Sequence, residues 1–147
     1  MRIEIDHHQI ALAIRWLHVA AMAAILGGAL LVSWLAVGDP DERFVVRVAA
    51  RYEQVFWGGI GILVMTGIGN LGAFDLALPS PATSWGGTFM AKLWSVGALV
   101  ALSLPRSLAV ARIVMAGGSA RALRWLYPTT TVLIASIAAL AVWLAHG

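Results

Sequence analysis

The sequence contains no cysteine among its 147 residues. This absence excludes disulfide bonds, thiolate metal sites and thiol redox chemistry, and it leaves the cellular compartment open. The chain still offers the thioethers of five methionines and the imidazoles of four histidines as metal ligands.

Charge is also scarce, because only 12% of the residues are charged and Lys92 is the single lysine. A soluble domain carries roughly twice this share of charged residues. With 61% hydrophobic residues and a mean hydropathy of +0.86, the composition predicts an integral membrane protein. The net charge of +3 does not indicate a nucleic-acid partner, since the arginines cluster at the ends of apolar segments, where they anchor membrane spans.

Four apolar segments are long enough to cross a bilayer, at about 9–37, 51–74, 87–114 and 126–145. In lipid these spans must be helices, because their backbone polar groups have to be satisfied internally. The sequence therefore predicts an all-α fold, an integral membrane four-helix bundle that forms one domain over residues 1–147. The first segment is too long and lacks the cleavage site expected of a signal peptide.

Arginines mark two of the three connections between these spans, whereas the connection at 74–86 and the C-terminus have no lysine or arginine. The positive-inside rule then places both termini on the outer, periplasmic side of a bacterial-type inner membrane. Tryptophans give an independent indication, since Trp16 and Trp34, like Trp125 and Trp143, lie one hydrocarbon thickness apart along a helix.

The first span opens with a cation, an imidazole and a thioether on one helical face, namely Arg15, His18 and Met22. In the third span, a polar stripe on one helical face is expected to face the bundle interior, and it consists of Lys92, Ser95, Leu99, Ser103 and Arg106. Ionisable groups within a span are costly and usually face a partner or a site. With the predicted topology, His18 and Lys92 lie at similar depth in the outer half of the membrane.

His18 has three interpretations from spacing alone. Its imidazole could ligate haem iron, it could bind copper(I) together with Met22, or it could be hydrogen-bonded to a neighbouring helix. His7 and His8 would add surface imidazoles to a copper site. Lys92 could serve as the counter-ion of a carboxylate or propionate, carry a proton, or extend to the outer headgroups.

The second span is rich in glycine, which lets helix backbones pack closely in lipid and could alternatively make room for a flat cofactor. Near its start, Glu53 is expected to pair with a cation or to remain hydrated at the interface. The glycines concerned are Gly58, Gly59, Gly61, Gly67, Gly69 and Gly72.

Short motifs along nearly the whole chain resemble the membrane domain of the copper resistance protein D (CopD) family. They are Arg15-x-x-His18 leading to Gly27-Gly28, then Thr66-Gly67-x-x-Asn70, Lys92-Leu93 and Leu123-Arg124. The resemblance implies a four-helix bundle that handles copper through a site around His18 and Lys92.

The same architecture is similar to HemJ-type protoporphyrinogen oxidases, whose functional histidine and lysine would correspond to His18 and Lys92. The chain departs from that pattern at Ala29-Leu30, where a Pro-Arg is usual, and at Leu126-Tyr127, where an Asn-Glu precedes the last proline.

Three hypotheses follow for the function. The first is copper handling or transport, with His18, Met22, His7 and His8 as ligands. The second is a b-type haem redox protein or oxidase, with His18 as axial ligand and with Arg15 and Lys92 receiving the propionates. The third is a structural or accessory subunit of a larger membrane complex or homo-oligomer, in which case the chain need not be an enzyme.

Overall fold

The computed structural model describes residues 7–38, 41–72 and 82–146, and within these ranges it contains helices and short turns but no strand. The long helices are α1 (His7–Val37), α2 (Glu42–Gly72), α3 (Ser84–Ala116) and α4 (Leu123–His146). A single 3₁₀ turn over Ala120–Ala122 leads into α4. The predicted all-helical fold is therefore confirmed.

Local capping residues set the ends of α3 and the start of the turn that follows it. At the start of α3, the Thr83 side chain accepts a hydrogen bond from the backbone N–H of Gly86 at 3.0 Å. At its end, Gly117 adopts φ 68°, the left-handed conformation that glycine takes without steric cost, and its N–H donates to the carbonyl of Ile113. Ser119 then accepts from the N–H of Arg121 and starts the 3₁₀ turn.

The helices extend beyond the predicted spans. α2 begins at Glu42 and not near residue 51, because Asp41 accepts from the N–H of Arg43 and caps the helix ahead of the apolar segment. Charged residues mark where an apolar span ends, whereas capping marks where a helix ends. α3 continues as one helix through Pro105.

The helices form a bundle in which α1 packs against α2 and α4, and α3 packs against α4 and α2. Glycine permits close approach of α1 and α2 at two points. A Cβ at Gly28 would lie 2.5 Å from the Tyr52 ring, and a Cβ at Gly59 would lie 2.8 Å from the Ile25 side chain. The predicted packing role of the glycines thus holds at Gly59, whereas Gly58, Gly61 and Gly67 face open space.

Much of the apolar surface faces outward. The helical segments Gln9–Val37 and Leu93–Ala116 are long and apolar enough to cross a membrane, and only 28% and 22% of their most apolar stretches are buried. Large side chains on the outside include Trp16, Trp34, Trp94, Trp125, Met65 and Met115.

Candidate functional site

The first candidate site centres on His18, which is half-buried on α1 and faces α2. Its Nδ1 lies 2.8 Å from the hydroxyl oxygen of Thr66, a buried residue near the end of α2. The two residues are 48 positions apart in the chain, so the contact depends on the antiparallel pairing of the two helices.

Thr66 determines which imidazole nitrogen carries the proton. The Thr66 hydroxyl lies 2.7 Å from the carbonyl oxygen of Ile62, one helical turn earlier, and donates to it. Its single proton is thereby committed, so the hydroxyl accepts from Nδ1–H of His18. We therefore assign the Nδ1–H tautomer, which leaves a lone pair on Nε2. No hydrogen bond joins Nε2 to the described part of the chain.

The other α1 residues predicted for the site differ in exposure. Met22 is half-buried one turn after His18, on the same helical face, as the spacing predicts. Arg15 is exposed, and with Leu12, Trp16 and Val19 it lines a shallow surface groove of about 180 Å³.

The remaining predicted ligands lie on described helices, but their side chains are outside the described part of the structure. His7 and His8 form the first positions of α1, and Lys92 lies in the third turn of α3. Among the described residues, no group of three or more histidine, aspartate or glutamate side chains is arranged to hold a metal ion. A copper site with several imidazole ligands therefore has no support from the described residues.

A second polar cluster lies within the bundle, between α2, α3 and α4, and is centred on Glu53 and Arg106. The guanidinium donates twice to the carboxylate, from Nε to Oε1 at 2.8 Å and from Nη2 to Oε2 at 3.1 Å. The Tyr127 hydroxyl donates to Oε1 at 2.7 Å, and the Ser107 hydroxyl donates to Oε2. Trp57 in turn donates to Ser107 at 3.1 Å.

Arg106 has 0% exposed surface and is enclosed by aromatic rings. Its guanidinium carbon lies 4.3 Å from the ring centre of Phe56 and 5.3 Å from those of Tyr52 and Tyr127. Its Nη1 has no hydrogen-bond partner in the described part of the chain, and the aromatic faces are the negative surfaces that stabilise this side of the cation.

The carboxylate of Glu53 accepts four hydrogen bonds, which fill its lone-pair positions. A buried charge pair is tolerated when its remaining hydrogen-bonding capacity is satisfied in this way. Glu53 therefore has no free position for a metal or substrate, and the cluster ties three helices together.

Sequence reasoning found part of this second cluster. The predicted interior stripe of α3 is confirmed at Leu99, Ser103 and Arg106, which are all buried. Glu53 pairs with a cation, one of its two expected states. The roles of Tyr127, Ser107 and Trp57 were not predicted, although a carboxylate and a guanidinium within two apolar segments were a signal that a shared polar site exists.

Comparison of the chain with protein-family models, with curated proteins and with solved structures gave no significant match.

Proposed function

We propose that the chain is an integral membrane protein whose four helices cross the bilayer, with both termini on the outer side. The outward-facing apolar surface supports this proposal. The core helix of a soluble protein buries most of its apolar residues, whereas Trp16 and Trp34 on α1 are 68% and 73% exposed. In water these surfaces would be costly, and in lipid they are matched by the hydrocarbon.

Within that setting, we propose copper handling by a CopD-like bundle, with His18 as the principal ligand. The observation that carries this proposal is the His18–Thr66 hydrogen bond. Metal-binding histidines usually donate their second ring N–H to an oxygen, which orients the ring and fixes the tautomer. Here the hydrogen bond leaves the lone pair of Nε2 available to bind a metal ion.

Copper(I) suits the ligands better than harder metals do. The soft thioether of Met22 lies one helical turn from His18, and thioether and imidazole ligands favour copper(I). Hard cations prefer carboxylates, and the buried carboxylate of Glu53 is saturated by its four donors. Copper would be the transported or delivered species.

The same observation favours a b-type haem as the second candidate, since a neutral imidazole with a free Nε2 is also the usual axial ligand of haem iron. Arg15 and Lys92 would then be the cations for its propionates. The two candidates differ in optical spectrum and in metal content.

The test uses full-length protein extracted from the membrane of its source, with an optical spectrum and with copper and iron analysis. Copper handling predicts stoichiometric copper without a Soret band, and its loss in His18→Ala. A Soret band with stoichiometric iron that disappears in His18→Ala would instead establish the haem candidate.

The methionine role has its own control in this test. Met22→Ala should lower the copper content, whereas Met65→Ala, which removes an exposed methionine of α2, should not. If the wild-type protein holds neither metal, or if His18→Ala keeps its metal, both site assignments are wrong. The role of an accessory subunit in a larger complex would then take their place.

A further inference from the structure

A groove lies between α2 and α3 at the end of the bundle where α2 begins and α3 ends. It has a volume of about 270 Å³ and is lined mainly by small and apolar side chains, namely Ala50, Val110, Ala111, Val114 and Met115. Ala111, Val114 and Met115 are exposed, so the groove opens to the outside of the bundle.

The polar residues at the inner end of the groove are occupied by partners within the chain. Glu53 accepts four hydrogen bonds, and Ser107 donates to Glu53 while accepting from Trp57. Glu53 has no unused position and its charge is balanced by Arg106, while Ser107 has no free proton to donate and keeps one acceptor lone pair. The part of a ligand that fills this groove must therefore be apolar.

The open end of the groove is cationic. Arg47 and Arg43 precede Ala50 by three and seven residues, which places them on the same side of α2, one and two turns toward its start. Both are exposed, and no ion pair joins either to a carboxylate of the described residues. The two exposed carboxylates at the start of α2 make other contacts, since Asp41 accepts from the backbone N–H of Arg43 and Glu42 lies 3.5 Å from the Ser119 hydroxyl.

We infer that this groove binds an anionic phospholipid, with an acyl chain between α2 and α3 and the phosphate at Arg43 and Arg47. An apolar groove that ends at two exposed guanidinium groups matches an anionic amphiphile in both shape and charge. Guanidinium groups bind phosphate oxygens in a bidentate manner, and basic residues at a membrane surface attract anionic lipids. A zwitterionic lipid lacks the net charge that the arginines select.

The inference requires the chain to lie in a membrane, but it does not depend on His18. The test places the full-length protein in nanodiscs made of equal parts phosphatidylglycerol and phosphatidylcholine. After release into mild detergent, native mass spectrometry counts the lipids that remain bound. We expect at least one phosphatidylglycerol per chain, retained in preference to phosphatidylcholine.

Charge variants test the open end of the groove. Each arginine at a membrane surface contributes about fivefold to anionic lipid binding, so Arg43→Gln with Arg47→Gln should weaken phosphatidylglycerol binding by about 25-fold. The matched control is Arg121→Gln with Arg124→Gln, which removes the same charge from exposed positions on the 3₁₀ turn and on α4, neither of which lines the groove. An equal loss in the control would mean diffuse attraction and would overturn the inference.

A steric variant tests the channel without changing charge. Ala111→Phe fills the groove and should abolish retention of the lipid, whereas Ala98→Phe, on another exposed part of α3, should not. Because Ala111 is exposed, this variant does not disturb the core. Retention of phosphatidylglycerol by Ala111→Phe, or absence of any preference in the wild type, would overturn the inference.

Two further experiments distinguish a lipid site from a simple phosphate site and from the proposed copper site. Added glycerol phosphate, which has the anionic group but no acyl chain, should not displace the bound lipid, and displacement would identify a simple phosphate site. His18→Ala should retain the lipid as the wild type does, so failure of the copper proposal and failure of the lipid inference have different readouts.

Discussion

At the scale of single residues, the hydroxyl of Thr66 has the largest consequence for the proposed site, because it fixes the imidazole of His18. Replacing Thr66 with valine keeps the shape and removes the acceptor of Nδ1–H. We expect copper(I) affinity to fall by 10–100-fold, the range typical for loss of such an orienting partner. Competition with a copper(I) chelator measures this change.

The control for Thr66 is Thr129→Val, which changes an exposed threonine of α4 in the same chemical way. It should bind copper(I) as the wild type does. Wild-type affinity in Thr66→Val would mean that His18 is not held by Thr66 in the binding state.

The charge pair of Glu53 and Arg106 leads to a prediction about stability. Arg106→Leu leaves a buried carboxylate without its cation and should lower the free energy of unfolding by about 3–5 kcal/mol. The double variant Glu53→Leu with Arg106→Leu should lose much less than the sum of the single changes, since no buried charge remains unpaired. Equilibrium unfolding in mixed detergent measures all three, and Arg112→Leu serves as the exposed control. Additive losses would show that the pair is not coupled.

Helical spacing alone placed Ser103 and Arg106 on the inner face of α3, because positions three residues apart share a face. The same spacing could not identify what they meet. Tyr127 reaches Glu53 across 74 residues of sequence and the Thr66 hydroxyl reaches His18 across 48, so both contacts depend on the register between helices. Register is set by packing, which a single sequence does not display.

At the scale of helices, two adjacent glycines of α1 have opposite surroundings. Gly28 lies against the Tyr52 ring, where a Cβ would come within 2.5 Å, whereas Gly27 has no atom within 4 Å of the same position. Gly28→Ala should therefore destabilise the protein by about 1–3 kcal/mol, the usual cost of overpacking. Gly27→Ala should be neutral or stabilising by up to about 1 kcal/mol, because alanine has the higher helix propensity.

The pair Gly27→Ala and Gly28→Ala forms its own control, since both changes add one methyl group to the same turn of α1. Equilibrium unfolding of both variants in detergent measures the difference between their free energies of unfolding. Equal stabilities would contradict the close packing of α1 on α2.

Element boundaries were predictable only where apolar segments and capping residues coincide. The first helix ends at Val37 as predicted, directly before Gly38. α2 extends nine residues ahead of its apolar span, since the segment from Glu42 to Ala50 is helical but carries Arg43 and Arg47. Among the described glycines of α2, Gly59 packs against another helix, whereas Gly58 and Gly61 are exposed.

At the scale of the whole molecule, the described helices form a bundle whose core is mainly apolar and encloses the Glu53–Arg106 cluster, and whose outer surface carries many large apolar side chains. Arg106, Ser103 and Glu53 are inside, and tryptophans and methionines are outside. The outward apolar surface fits the proposed membrane location, because hydrocarbon would match this surface and water would not. Composition alone led to the prediction of a membrane protein, since only 12% of the residues are charged.

The central claim is that four spans cross a membrane with the arginine-rich connections on the inner side. The native chain has no cysteine, so single cysteines introduced at Ser80 and Ser119 label without background. In intact cells, a membrane-impermeant maleimide should label Ser80→Cys, and it should label Ser119→Cys only after the membrane is opened. Labelling of both positions from the same side, or recovery of the protein in the soluble fraction, would contradict the account.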